Sequence, residues 1–93
     1  MERMAIEVEI KFYGGVSQAA GIESARVQFK GSTLGDLLEE VKKRWPGASE
    51  FIDGSKSGSA VLVLNGKALE VPDLSKRLKA GDVLSIMPFV AGG

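Results

Sequence analysis

Ninety-three residues, 44% hydrophobic and 26% charged, have the composition of one small globular domain, a size at which folding hides about 60 to 65% of the surface exposed by the unfolded chain. Twelve basic residues cancel twelve acidic ones, with no run longer than Lys42-Lys43-Arg44, which argues against a nucleic-acid partner. The absence of cysteine and histidine removes disulfides, thiolate nucleophiles, the usual zinc ligands and the commonest general base, and the longest unbroken apolar run, Ala60 to Leu64, is too short to cross a bilayer. A cytoplasmic protein without a membrane partner is expected.

From Ala5 to Tyr13, Ile6, Val8, Ile10 and Phe12 alternate with Glu7, Glu9 and Lys11, the period-two pattern of a strand with one buried face. Gly14-Gly15 breaks the run, a pair read as turn geometry. Ala25, Val27 and Phe29 then alternate with Arg26, Gln28 and Lys30. The simplest arrangement is an opening hairpin with a fairly long loop.

Thr33 with Asp36 resembles a capping box at a helix start. Leu34, Leu37, Leu38, Val41 and Trp45 follow at spacings of three and four, so one apolar stripe faces a sheet. Glu39 with Lys43 and Glu40 with Arg44 are placed to pair on the other side, each worth about 0.2 to 0.5 kcal/mol. The basic triplet reads as a solvated face that complements the helix dipole, and Pro46-Gly47 ends the helix.

Asp53 to Ser59 reads as a polar loop; its Gly54-Ser-Lys-Ser-Gly58 lacks the ending of a phosphate-binding loop. Val61 to Leu64 is the next strand, Asn65-Gly66 a two-residue hairpin turn, and Lys67 to Val71 the returning strand. Asp73 is placed to cap a brief helical turn carrying Leu74 and Leu78, closed by Gly81. In the last strand, Val83 to Met87, Leu84 and Ile86 take one face and Val83, Ser85 and Met87 the other. Pro88 cannot donate to a ladder and ends it. The expected fold is α+β, one main helix lying across a mixed sheet in a single domain of residues 1–93, with a flexible tail over 88–93.

Catalytic side chains do not converge by spacing. Asp36, Glu39 and Glu40 read as a solvated set, and so do Glu7 and Glu9. The chemically distinctive group is the α-carboxylate after Val90-Ala91-Gly92-Gly93. Two glycines let the backbone thread a narrow channel and leave the terminal carbonyl approachable from both sides. A free carboxylate is a poor electrophile, so useful work at Gly93 requires activation by an ATP-using enzyme; sulfur attack then gives a thiocarboxylate, and lysine attack an isopeptide bond. On the residues alone both routes stay open, as does a simple frayed terminus.

The segment from Leu78 through Lys79-Ala80-Gly81-Asp82, the last strand, Pro88 and Val90-Ala91-Gly92-Gly93 resembles the small, sulfur-carrying subunit of molybdopterin synthase. The Ile10-Lys11-Phe12-Tyr13 strand, the helix start at Thr33 to Leu38, Trp45-Pro46-Gly47 and Val63-Leu64-Asn65-Gly66 look like that family too. The resemblance implies a ubiquitin-like β-grasp fold with the first and last strands parallel and adjacent. It also implies adenylation of Gly93 by an activating enzyme, its sulfuration, and insertion of the tail into the large synthase subunit, where the sulfur helps build the molybdopterin dithiolene. Catalytic side chains then belong to that partner, and this chain is a carrier without a bound cofactor rather than an enzyme. Phe89 stands where the family usually has a second proline, and Met87 where an aromatic is common. Met87, Phe89, Pro88 and Val83 are the candidate docking residues beside the tail.

Two neighbouring readings share the tail chemistry. Similar archaeal proteins are ubiquitin-like modifiers of lysines, and related sulfur carriers serve thiamine synthesis or transfer-RNA thiolation. A third reading, an interaction module whose tail is incidental, is separated from these by deleting Gly92 and Gly93.

Overall fold

The computed structural model describes residues 5–54, 60–69 and 73–88. Its elements run β1 (Ile6–Phe12), α1 (Gly14–Ala20), β2 (Ser24–Phe29), α2 (Leu34–Arg44), a 3-10 turn (Pro46–Ala48), α3 (Ser49–Gly54), β3 (Ala60–Leu64), β4 (Lys67–Leu69) and β5 (Val83–Pro88). The strands form one mixed sheet in the order β2-β1-β5-β3-β4. β1 is antiparallel to β2 and parallel to β5, while β3 is antiparallel to both β4 and β5. This is the expected α+β, ubiquitin-like β-grasp arrangement, with the first and last strands adjacent at its centre.

Alternation decides which face is wet. Val8, Ile10 and Phe12, Val27 and Phe29, Leu62 and Leu64, and Leu84 and Ile86 are all buried on the inner face. The α2 stripe of Leu34, Leu37, Leu38 and Val41 joins them in one core. Each such large side chain contributes about 1.5 to 3 kcal/mol on leaving water. Trp45 is half-buried at the helix end and meets Phe12 edge-on, ring centroids 5.2 Å apart. Helix α2 starts on a reciprocal capping box: Asp36 N–H donates to Thr33 Oγ1 at 3.2 Å, and Thr33 N–H donates to Asp36 Oδ2 at 3.3 Å.

Several expectations are corrected. β1 and β2 do pair, but they are joined through helix α1 rather than an irregular loop. Gly14 has the anticipated positive φ, 54°, yet it opens that helix. Pro46 and Gly47 themselves begin the 3-10 turn, which leads into α3, so Asp53 and Gly54 close a helix instead of opening a polar loop; residues 55–59 lie outside the described residues. Glu40 pairs with Arg44 at 2.7 Å as anticipated, but Glu39 pairs with Lys42 at 3.0 Å, not Lys43. Lys42 also reaches Asp53 of α3 at 2.8 Å, so one ammonium lies between two carboxylates.

β4 ends at Leu69 within the described residues, and Glu70 and Val71 of the expected strand lie outside them. Asp73 makes a side-chain-stabilised turn rather than a helix cap: its Oδ1 accepts from Ser75 N–H at 3.0 Å and Ser75 Oγ at 2.6 Å. Leu78 is buried, whereas Leu74 stays exposed.

Candidate functional site

The sheet face opposite α2 carries the alternate residues of every strand. On the β1–β2 half these are charged or polar: Glu7, Glu9, Lys11 and Arg26 with Gln28 and Ser24, Arg26 and Glu7 standing 3.8 Å apart in an exposed pair. Such a pair contributes at most about 1 kcal/mol. On the β5–β3–β4 half they are apolar or small. Met87 lies opposite Val61, and Ser85 opposite Val63, which in turn faces Ala68. Val83 stands on the same face, opposite Glu9.

Of the expected docking residues, Val83 and Met87 therefore share this outer face, both half-buried, as alternation from Ser85 required. Pro88 is the last residue of β5, opposite Ala60. Phe89, Val90, Ala91, Gly92 and Gly93 lie outside the described residues.

Tyr13 extends the patch and was not singled out from the sequence. Its N–H donates to the Ile86 carbonyl at 3.1 Å, continuing the parallel ladder by one residue, and alternation from Lys11 puts the ring on the outer face beside Met87. It remains 43% exposed, with Leu74 the other large hydrophobic left in water among the described residues. The signal was an aromatic ring in the polar phase of the first strand. Tyr13, Met87 and Val61 thus form an apolar row across three strands, at the end of the sheet where β5 stops.

The start of β5 is fixed by a polar clip. Asn65 adopts φ 52° and Gly66 φ 83°, the left-handed pair that a tight hairpin requires. Asn65 Nδ2 donates to Asp82 Oδ1 at 2.9 Å, and Asn65 Oδ1 accepts from Val83 N–H at 2.8 Å. The second carboxylate oxygen of Asp82, a residue only 7% exposed, accepts from Lys79 N–H at 2.7 Å. The β3–β4 hairpin and the first residue of β5 are thereby locked to each other.

Ionisable groups elsewhere serve local structure. The hydrogen bond from Lys42 to Asp53, followed by that to Glu39, holds the ammonium above its ordinary pKa. The Ser75 hydroxyl and then the Ser75 N–H hold the Asp73 carboxyl below its own. Glu7 and Glu9 stand on the open sheet face, with Glu7 turned toward Arg26. Among the described residues there is no group of three or more metal-capable side chains, and no helix is long and apolar enough to cross a membrane.

Comparison with known proteins agrees with this architecture. Residues 10–93 match the model of the ThiS family. The chain is similar to the crystal structure of SAMP1 from Haloferax volcanii, at 30% identity and a TM-score of 0.76, covering 94% of this chain and 99% of that one. It is similar to the small archaeal modifier protein 1 of Methanosarcina acetivorans, at 26% identity and a TM-score of 0.71, covering 96% and 98%. A third similar structure is the complex of subunits 1 and 2 of the molybdopterin-converting factor from Helicobacter pylori, at 27% identity and a TM-score of 0.66, covering 95% and 100%. Comparison with curated proteins finds no significant match. With the match spanning all but the opening residues, and the central parallel pair of first and last strands in place, the chain belongs to the ThiS family of ubiquitin-like sulfur carriers.

Proposed function

We propose that this chain is the small, sulfur-carrying subunit of a molybdopterin synthase, and that the terminal carboxylate of Gly93 is its working group. The observation that carries the reading is a family match running through Gly92 and Gly93, on a chain whose central strand β5 ends at Pro88, with Phe89, Val90 and Ala91 between the strand and those glycines. One carboxylate oxygen of Gly93 attacks the α-phosphorus of ATP on an activating enzyme. The bond to the pyrophosphate oxygen breaks and pyrophosphate leaves. A hydrosulfide-type donor then attacks the carbonyl carbon, the bond to the AMP oxygen breaks, and Gly93 becomes a thiocarboxylate with release of AMP and a proton.

The carrier contributes the acyl group and a surface, and the partners contribute the catalytic side chains. Met87 and Tyr13 near the end of β5, with Val83 at its start on the same face, supply apolar area where the partner sits while Val90, Ala91, Gly92 and Gly93 enter its active site. Unpaired apolar surface of this kind, next to a charged half-face, is what a docking interface uses. The large synthase subunit is the proposed recipient of the sulfur, by likeness to the two-subunit Helicobacter complex.

The likeness to the archaeal modifier proteins favours a second reading, in which a lysine amine attacks the same adenylate, AMP leaves, and Gly93 ends in an isopeptide bond. High-resolution intact and fragment mass spectrometry, after incubation with the host's activating enzyme, ATP and a sulfur donor, separates the two. Replacement of oxygen by sulfur at Gly93, resolved from oxidation at Met1, Met4 or Met87, is the expected outcome. An unchanged Gly93 beside a demonstrably active enzyme overturns the carrier reading, and a ladder of tail-dependent lysine adducts in cells moves the function to protein modification.

A further inference from the structure

The point where β5 ends is built with little slack. Pro88 is paired across the sheet with Ala60 of β3. On the other side, Tyr13 N–H holds the Ile86 carbonyl at 3.1 Å. The next residue along, Gly14, meets the Pro88 ring: a Cβ on Gly14 would lie 3.2 Å from Pro88 Cγ and 3.6 Å from its Cδ. The ring occupies the space that any other residue would need, and with such a residue it would have to give by a few tenths of an ångström. Gly14 also has φ 54°, in the left-handed region.

Gly21, at the other end of the same helix, supplies an internal comparison. It too has a left-handed φ, 80°, but nothing lies within 4 Å of the Cβ it lacks. The backbone alone therefore accounts for glycine at Gly21, whereas Gly14 is constrained both by its backbone and by the proline.

We propose that Gly14 is a positioning residue for tail activation: by leaving room for Pro88, it sets where the strand hands over to residues 89–93. The inference rests on the carrier reading, because only a tail that must reach a distant reactive centre is sensitive to its root. Docking uses the outer sheet face and reaction uses the tail, so shifting Pro88 affects the reactive step more than recognition. Displacements of about 1 Å in a reacting group cost on the order of a hundredfold in rate; a shift of a few tenths corresponds to about tenfold.

The test is ATP–pyrophosphate exchange by the activating enzyme with full-length wild type, Gly14→Ala and Gly21→Ala. Gly14→Ala is expected to lower kcat about tenfold with KM for the carrier changed less than about twofold, and Gly21→Ala to leave both within about twofold. In a Pro88→Ala background the Gly14→Ala effect should shrink to under about twofold, because the ring atoms it strikes are gone. Should Gly14→Ala fail to fold, Gly14→Asn replaces it, since asparagine tolerates a left-handed φ yet still carries a Cβ.

Equal effects of Gly14→Ala and Gly21→Ala, a loss confined to KM, or persistence of the loss without the proline ring would each overturn the proposal. If wild type itself supports no exchange with an enzyme active on another carrier, the carrier reading fails instead. The seat is then judged by amide NMR alone: Gly14→Ala must shift the Phe89 and Val90 resonances while Gly21→Ala leaves them in place, and unchanged resonances sink it.

Discussion

Asn65 does more than turn the chain. Its amide donates to Asp82 and accepts from Val83, so both ends of one side chain hold the hairpin to the last strand. Asn65→Asp keeps the acceptor but replaces the donor with a carboxylate facing another carboxylate. A hydrogen bond to a charged group contributes about 1.5 to 3 kcal/mol, and urea denaturation at neutral pH should show a loss of about 2 to 3 kcal/mol; a loss below about 0.5 kcal/mol would show the clip to be idle. At Asp73 the effect is one of pH. The Ser75 hydroxyl, then its N–H, lowers the folded-state pKa below the ordinary 3.8. A depressed carboxyl contributes stability that is present above the unfolded value and is lost as pH falls through the folded one. Ser75→Ala removes the larger cause, so an NMR titration should find the Asp73 pKa moved up toward 3.8, and an unmoved titration would contradict the assigned cause.

Among the elements, α1 and α3 are held mainly by what they touch. Gly47 shows how closely: a Cβ there would collide with the Ala19 carbonyl oxygen, so α1 rests directly on the Pro46–Ala48 turn, whose Ala48 is fully buried. Gly47→Ala must push these two segments apart, and overpacking of this kind costs about 1 to 3 kcal/mol. Thermal unfolding should show the loss, and an unchanged transition would mean that the turn slides freely. The same contact explains what could be read in advance. β1 and β2 carry strict alternation, β3 and β5 are short, mostly apolar runs ended by Asn65-Gly66 and Pro88, and α2 carries a full stripe with a capping box, so each is specified by its own residues. Helix α1 has two glycines, no side-chain cap and one buried residue, Val16. Helix α3 is a single short segment, Ser49–Gly54, following a proline-glycine pair. Neither has a local pattern strong enough to announce a helix; burial of Val16 from α1 and Ile52 from α3 in the common core, with Phe51 packed against it, supplies the reason. Glu39 likewise meets Lys42 instead of the expected Lys43, on an ammonium that also reaches Asp53 of α3.

At the scale of the whole molecule the sheet divides the labour: one face is spent on the core, and the other presents a charged half and an apolar half. Alternation alone placed Val83 and Met87 on the free face, but the sequence did not show that Tyr13 and Val61 would stand beside Met87, since that neighbourhood exists only when β1, β5 and β3 lie side by side. Met87 sits at the centre of that row and is only half-buried. A carboxylate placed there stays hydrated in the free protein but must lose water, unpaired, beneath an apolar partner surface, whereas the core on the opposite face is untouched. Met87→Asp should therefore weaken binding to the proposed partner, a large synthase subunit, about thirtyfold, the size of a central interface residue, with the thermal midpoint moving by no more than a few degrees. Calorimetric binding together with a melt decides it. Unaltered affinity would mean that the partner sits elsewhere. Collapse of the fold would mean that Met87 serves the core, leaving the charged half of the face as the surface on which to look for docking.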